Sequence, residues 1–424
     1  MFMIFKLEKV IKFLLYFFVF ILPFQIKYIL IPSDQVYNEI AIYFNYLILL
    51  FLLLFFFVYF YKKNKEYKIP KYLFIIAGLD FFIFISVLIS PNISVSFFKY
   101  FLFLLSCSLF FLLINFKYDF KKILIIFIFS VFIHSSLGVW QFFSQSDFSS
   151  KYIGKAMHDS SVLGVSVVEL GEGRFLRAYG ALDHPNILGA LIFFSLVFLI
   201  YIFLKYDFNI KLKILFYFVY LVNLLGLFCS VSRSSFLALA VSFVIILFGV
   251  VAGNNKEALR KFCFLSVISL LLFFSMFFVF KPIFLSRLDI DSRLESKSIN
   301  ERVEQIDHSG QTIKDNFWFG VGFGSYHQSI LDRNQNLEPY EAQPVHNFFL
   351  LSLAEIGIWG FIFLIWFIFY FLRKSIFFGN YYITIGLFSG LFIFMIFDHW
   401  LWSLPFGLLF LFFILGLTVS LPRK

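Results

Sequence analysis

The sequence predicts an all-α protein that crosses a membrane about twelve times, and three observations carry that prediction. Of 424 residues, 61% are hydrophobic, 23% are aromatic and only 14% are charged, where a soluble domain has roughly 25% charged residues. The apolar residues fall in runs of about 17 to 25, the length at which one helix crosses the hydrocarbon. The basic residues sort between alternate connections: with both termini in the cytoplasm, 21 of the 35 Lys and Arg lie in inside segments and 14 outside, the bias that orients helices in a bilayer. The acids sort the opposite way, 5 inside and 17 outside, with Asp80, Glu355 and Asp398 left within or at the ends of spans. The net charge of +10 is therefore read as a topology signal rather than the footprint of a nucleic-acid binder. The 71 phenylalanines are read as the codon usage of an AT-rich genome and carry no functional reading.

Taken in order, the first five spans start near residues 11, 40, 72, 97 and 123. The first lacks a small-residue cleavage site and reads as a retained anchor. The runs "YKKNKEYK" and "FKYDFKK" follow the second and fourth spans and face the cytoplasm. Residues 144–185 then form a moderately long outside loop. Spans six to nine start near 186, 214, 234 and 263, which completes a first portion, residues 1–281, of nine transmembrane helices. Residues 282–345 form the large periplasmic loop, and residues 346–424 hold spans ten to twelve, starting near 347, 380 and 403. Within the large loop, "NERVEQIDHSGQTIKDN" places Val303, Ile306 and Ile313 at mostly helical spacings, so short amphipathic helices on the membrane face are expected there. Cys107, Cys229 and Cys263 all fall in apolar segments, and no disulfide framework is implied. No repeat of fixed period and no separate soluble domain is visible.

The residues able to do chemistry gather at the outer boundary. In "CSVSRSSFLALA", Arg233 lies between two spans with almost no loop, surrounded by Ser230, Ser232, Ser234 and Ser235. An arginine at mid-bilayer costs at least about 2.5 kcal/mol, so its charge belongs at the membrane surface. It either marks a tight turn there or, with the serines, binds an anion. "RFLRAYGALDHPNILGA" sets Arg174 and Arg177 ahead of Asp183, His184, Pro185 and Asn186 at the start of span six. A polar cap followed by proline is what a helix start needs, and His184 is assigned to that structural role. The large loop adds Arg287, Arg293, Arg302 and Arg333, then "FWFGVGFGSYH". Its glycines 320, 322 and 324 resemble a phosphate loop only loosely, without a preceding strand, and read as points where the loop folds tightly against helices. "DID", Asp289 to Asp291, mimics a metal-binding pair of nucleotide-sugar transferases, but it lies on the side where nucleotide sugars are not supplied and is set aside.

"PVHNFFLLSLAEIGIWG" opens span ten with His346 and Asn347. At about 100° per residue, Gly357 falls within about 20° of His346 and Gly360 within about 40°. The expectation is that both glycines share the histidine's face and let a neighbouring helix approach closely, holding the imidazole at the membrane surface. Glu355 points about 180° away and is expected to face other helices in a protonated or hydrogen-bonded form.

Three features together resemble the O-antigen ligase and polymerase family of bacterial envelope glycosyltransferases. "HNFFLLSLAEIGIWG" fits the ligase pattern His-Asn, nine residues, Gly, two residues, Gly, with His346, Asn347, Gly357 and Gly360. "RSSFL" fits Arg, three residues, Leu, with Arg233 and Leu237, and the run from "ERVEQ" to "GVGFGSYH" looks like the family's loop, in which Arg302 precedes a Gly-rich turn. The similarity covers roughly residues 174–360. What it implies is a GT-C-like inverting transferase in the bacterial inner membrane, taking a glycan from undecaprenyl diphosphate to lipid A core or to another lipid-linked repeat unit, with membrane lipids around it and no nucleic-acid partner. The site residues it implies are His346 as the base that accepts a sugar hydroxyl's proton, and Arg233, Arg302 and, second in rank, Arg177 as forks for diphosphate oxygens. Asn347, Leu237, Gly357 and Gly360 have supporting roles. No metal ligand set and no cofactor is expected. The His-Asn pattern favours a ligase over a polymerase. A flippase or transporter is the rival class, and it predicts two related halves with paired broken helices, a symmetry absent from this sequence. Arg233, Arg302 and His346 are expected to converge on one outward-facing cavity.

Overall fold

The computed structural model describes every residue except 1, 34–35, 64–71, 172, 288, 290, 334–341, 379–380 and 422–424. The basic run 61–68 thus lies mostly outside the described residues. The chain is an all-α polytopic membrane protein. Its helices, in chain order, are α1 (Phe2–Ile21), α2 (Phe44–Lys63), α3 (Tyr72–Leu88), α4 (Ile93–Asn115), α5 (Phe120–Ser144), α6 (Pro185–Lys205), α7 (Ile210–Ser230), α8 (Arg233–Ala252) and α9 (Lys256–Val279). Then come α10 (Lys281–Ser286), α11 (Arg293–Asp315), α12 (Tyr326–Arg333), α13 (Phe348–Phe378), α14 (Tyr381–Phe397), α15 (Trp400–Ser403) and α16 (Pro405–Val419). Among the described residues, eight helices are long and apolar enough to cross a membrane: α2, α4 to α9 and α13. The apolar helices α3, α14 and α16 are shorter, and α1 carries Lys6, Glu8, Lys9 and Lys12.

Local chemistry sets the helix starts. Asn92, Asp119, Asn209 and Asn255 each accept a backbone N–H of the first turn of α4, α5, α7 and α9, satisfying donors that lipid cannot. Packing then separates core from periphery. In the apolar span of α6, 94% of the residues are buried in the protein, and in that of α9 only 11%; α6 is the central post, and α9 lies at the periphery. A buried polar thread ties the post to its neighbours: Ser135 of α5 donates to Asn223 of α7 at 2.7 Å, and Asn223 donates to Ser195 of α6 at 3.0 Å.

Two hairpins were not expected from the sequence. Strands β1 (Lys27–Ile31) and β2 (Ile40–Tyr43) pair antiparallel between α1 and α2, and β3 (Val167–Leu170) and β4 (Gly173–Leu176) between α5 and α6. Both sit in apolar sequence, where the two-residue period is lost among neighbouring membrane runs.

The expected common face of His346, Gly357 and Gly360 does not form, and this is a correction. His346 precedes α13, and α13 is interrupted at Gly357, whose φ of 65° and ψ of −178° are non-helical, so the 3.6-residue phase is reset there. The backbone groups freed at the break are taken by the Gly-rich turn of residues 316–325. Ile358 N–H donates to Phe317 O at 2.9 Å, Val321 N–H to Ala354 O at 2.9 Å and Gly322 N–H to Glu355 O at 3.2 Å. A side chain on Gly357 would place its Cβ 2.4 Å from Trp318 O. Gly357 therefore seats a loop rather than a neighbouring helix, and the atoms nearest a Cβ on Gly360 would be those of Ile356, at 3.0 Å.

Candidate active site

Glu355 anchors that turn from below. Its carboxylate accepts from Trp402 Nε1 at 2.8 Å and from Tyr326 N–H at 3.4 Å, while Ser86 and Gly322 N–H both donate to its carbonyl. Lys99 donates to Gly324 O at 3.0 Å beside it. The buried ion-bearing groups are thus satisfied within the protein, as the expectation that Glu355 faces other helices required. The turn they hold delivers α12, and with it His327, to one membrane face.

On the same face α11 lays Arg302 and Gln305 one turn apart on one side. Gln305 Oε1 accepts from the His346 backbone N–H at 3.3 Å and lies 2.8 Å from His346 Nδ1. An acceptor at Nδ1 selects the tautomer protonated there, leaving the Nε2 lone pair open to take a proton. Asn347 fixes the chain just beyond: its Oδ1 caps α13 by accepting from Leu350 N–H at 2.9 Å, and its Nδ2 donates to Ile396 O at 3.0 Å, pinning α13 to the end of α14. Burial lowers the His346 pKa from the usual imidazole value and Arg302 adds to the shift, against the opposing pull of Asp398. The shift favours the neutral ring, the form in which an imidazole can accept a proton.

The α14–α15 junction supplies what surrounds the ring. His399 packs edge-on against His346 with centroids 4.9 Å apart, and its Nδ1 lies 2.7 Å from Ser403 Oγ. Burial pushes His399 down to about 3. Asp398 accepts from the His399 N–H at 2.8 Å and from Asn186 Nδ2 at 3.2 Å. Burial alone would raise its carboxyl; His399, His346 and His184 outweigh that and hold it below its usual value. His184 caps α6 through Nδ1, accepting from Asn186 N–H at 3.1 Å, and is pushed down to about 3 by burial and then by Arg177. Tyr37, from the loop between β1 and β2, inserts its ring 5.7 Å from His327 and 6.2 Å from His399.

The three arginines differ in how their forks are used. Arg177 is buried and spends four of its five donors: Nε on Ser230 O at 2.9 Å, one terminal nitrogen on Ser166 Oγ at 2.6 Å, the other on Asn186 Oδ1 at 3.0 Å and Val231 O at 3.3 Å. Such a fork has little left for a diphosphate, which departs from the sequence expectation; Arg177 instead fastens the α7–α8 turn to Asn186 and so to Asp398. Its pKa is pushed down to about 9 by burial and by Arg287. Arg233, the first residue of α8, donates to Arg287 O at 3.0 Å and pairs with Glu295 at 2.9 Å, and its side chain stays 47% exposed. Glu295 also pairs with Arg287. Arg302 makes no hydrogen bond or ion pair among the described residues, yet its charge is felt by His346 and it lies in the field of Asp398, Arg233 and Glu295, while burial lowers its pKa. Of the other loop arginines, Arg293 pairs with Glu169 and Arg333 with Asp315. Leu237, one turn beyond Arg233, is 46% exposed.

Sequence reasoning missed Gln305, Tyr37, His327 and His399 as members of this cluster. The "DHW" at 398–400, an acid and an imidazole wedged between two apolar runs, was the one available signal, since ionisable groups at membrane depth need a reason to be there.

No curated protein matches the chain. Residues 216–365 match the family described as O-antigen ligase, a stretch that runs from α7 into α13 and holds Arg233, Arg302, His346, Asn347, Gly357 and Gly360, while Arg177, Asp398 and His399 flank it. The resemblance carried by those motifs and this match agree over residues 216–360, where the chain is similar to the O-antigen ligase family, and its apolar helices make it a multi-pass membrane protein.

Proposed function

We propose that the protein is a GT-C-like glycosyltransferase that moves a glycan from undecaprenyl diphosphate to a lipid A core acceptor at the periplasmic face of the inner membrane. The observation that carries this reading is the pairing of a base with a cation: His346 with its Nδ1 on Gln305 and Nε2 open, in the field of an Arg302 fork that has no partner among the described residues. His346 Nε2 takes the proton of the acceptor hydroxyl as that oxygen attacks the anomeric carbon. The glycosidic bond forms while the bond from that carbon to the diphosphate oxygen breaks on the opposite side, inverting the centre. The electron pair leaves on the diphosphate, whose growing charge Arg302 meets and Arg233 supports. In this scheme the arginines supply the charge stabilisation, and no metal is required.

The same reading assigns twelve spans, α1 to α9, α13, α14 and α16, with both termini cytoplasmic and residues 282–345 periplasmic. The charge asymmetry supports it, as does the number of apolar helices. A transporter is disfavoured because the ionisable side chains of the cluster gather at one face.

The test is reconstitution of the purified protein with a lipid-diphosphate glycan and two acceptors, lipid A core and a second lipid-linked repeat unit, without added metal or nucleotide. Transfer to core supports the ligase; lengthening of the lipid-linked chain makes the protein a polymerase. Glycan crossing the membrane with no new glycosidic bond would overturn both.

A further inference from the structure

At the far end of α6 from His184, 21 residues and so about 30 Å away along the axis, the α6–α7 connection and the start of α9 enclose a cavity of about 300 Å³. It lies on the membrane face opposite the histidine cluster. Lys213, Arg260 and Lys261 line it together with Phe203, Tyr217 and Phe264. The rings form a continuous wall: Phe203 stacks on Tyr217 at 4.8 Å, and Tyr217 meets Phe264 edge-on at 5.5 Å.

Of these three cations one is spent on the protein and two are without a partner among the described residues. Lys261 is held by Asp207 and Glu257, each at 2.9 Å. Among the described residues Lys213 and Arg260 make no hydrogen bond or ion pair, although Lys213 lies in the field of Asp207. The two connections that frame the cavity, residues 205–213 and 256–261, hold six Lys and Arg against two acids. A cavity with two unsatisfied cations at its rim asks for an anion.

The surroundings decide what kind of anion. Phe264 lines the cavity and is also 51% exposed, and Ile210, Ile214 and Leu215 beside it are 51–69% exposed. The wall therefore continues onto the lipid-facing surface of α7 and α9. The charged rim stands at the helix ends, the depth of the headgroup layer, where basic pockets between helices hold anionic headgroups. We infer that this cavity binds the phosphate headgroup of an anionic phospholipid, with Lys213 and Arg260 on the phosphate and an acyl chain along Phe264. The bound lipid bridges the α6–α7 hairpin to α9, the helix with the least protein packing among the eight long apolar ones.

The experiment uses the full chain, delipidated in detergent and re-equilibrated with phosphatidylglycerol or phosphatidylcholine, with bound lipid counted by native mass spectrometry. The wild type should retain phosphatidylglycerol over phosphatidylcholine. Lys213→Gln with Arg260→Gln should cut that retention about tenfold or more, since each cation near the surface contributes on the order of 1 kcal/mol. Arg260→Gln alone, an exposed change that leaves packing untouched, should give a smaller loss in the same direction. Lys211→Gln with Lys256→Gln alters net charge equally on the same face but outside the cavity lining, and should stay within about twofold. Equal losses in the cavity and control pairs would overturn the site. Displacement of the lipid by excess inorganic phosphate alone would make it a free-anion site and overturn the lipid assignment.

Discussion

Two polar clusters sit at the same face of this protein, and they use their hydrogen-bonding groups in opposite ways. Around Glu355 the donors and acceptors are matched: the carboxylate takes Trp402 and Tyr326, its carbonyl takes Ser86 and Gly322, and Lys99 reaches Gly324. Around His346 the account is left open, with one ring nitrogen on Gln305 and the Arg302 fork without a partner among the described residues. A closed network holds shape. An open one, kept in place by closed neighbours, is ready for a ligand. Burial and charge are common to both clusters, so neither property separates structure from function here; the difference is which groups still lack a partner.

The sharpest way to break the comparison is His346→Ala. Transfer should fall by about 10²–10⁴-fold, the usual worth of a general base, while donor binding and thermal stability stay near those of the wild type. With the wild type, the acid limb of the turnover profile should lie below pH 6.5, because burial lowers the pKa of His346 and the base works only when neutral. An acid limb above 6.5 would mean that another group is titrating.

Glu355→Ala should do the reverse. Removing one partner from a buried charged network costs about 3 kcal/mol, read as a lower unfolding temperature, whereas turnover per folded molecule changes little; Glu355→Gln, which keeps an acceptor, should be milder. Arg302→Lys comes next, keeping the charge and losing the fork, with a transfer loss of about 10²-fold and no change in melting. Arg302→Lys at wild-type rate would place Arg302 with the structural arginines. The smallest expected effect is Gly357→Ala, about 2 kcal/mol of destabilisation, since alanine resists the left-handed backbone there and its Cβ would press on Trp318 O. An unchanged melting temperature would mean the Gly-rich turn can leave the break freely.

The sequence made legible those site residues whose neighbours in the chain announce them. His346, Arg233 and Arg302 stand in short motifs, and the shift from apolar runs to charged loops marks where each helix ends. Gln305 and His399 could not be read in this way, because each becomes informative only when α11 and the α14–α15 junction bring it to His346 from 41 and 53 positions away in the chain. The face argument for Gly357 failed for a definite reason: helical phase is countable only along an unbroken helix, and a glycine at +65° in φ ends the count. The same glycine that seemed to serve helix packing is the one that invalidates the projection. Arg177 was read from its motif as a second-rank diphosphate fork, but its four hydrogen bonds depend on Ser166, Asn186 and the α7–α8 turn, which motif reading alone does not bring together.

The stitch between the Gly-rich turn and the broken helix is made of main-chain groups, and main-chain groups are the same in every residue but proline. Mutational drift can therefore change the side chains of Phe317, Trp318 and Phe319, all at least 40% exposed, without unpicking the three hydrogen bonds that join residues 317–322 to 354–358. Gly320 and Gly357 have no such freedom, since each lies against the other strand of the stitch. Descendants of this chain are expected to vary in the aromatic triplet while holding those two glycines together, and replacement of one should select for loss of the joint rather than for a compensating change at the other.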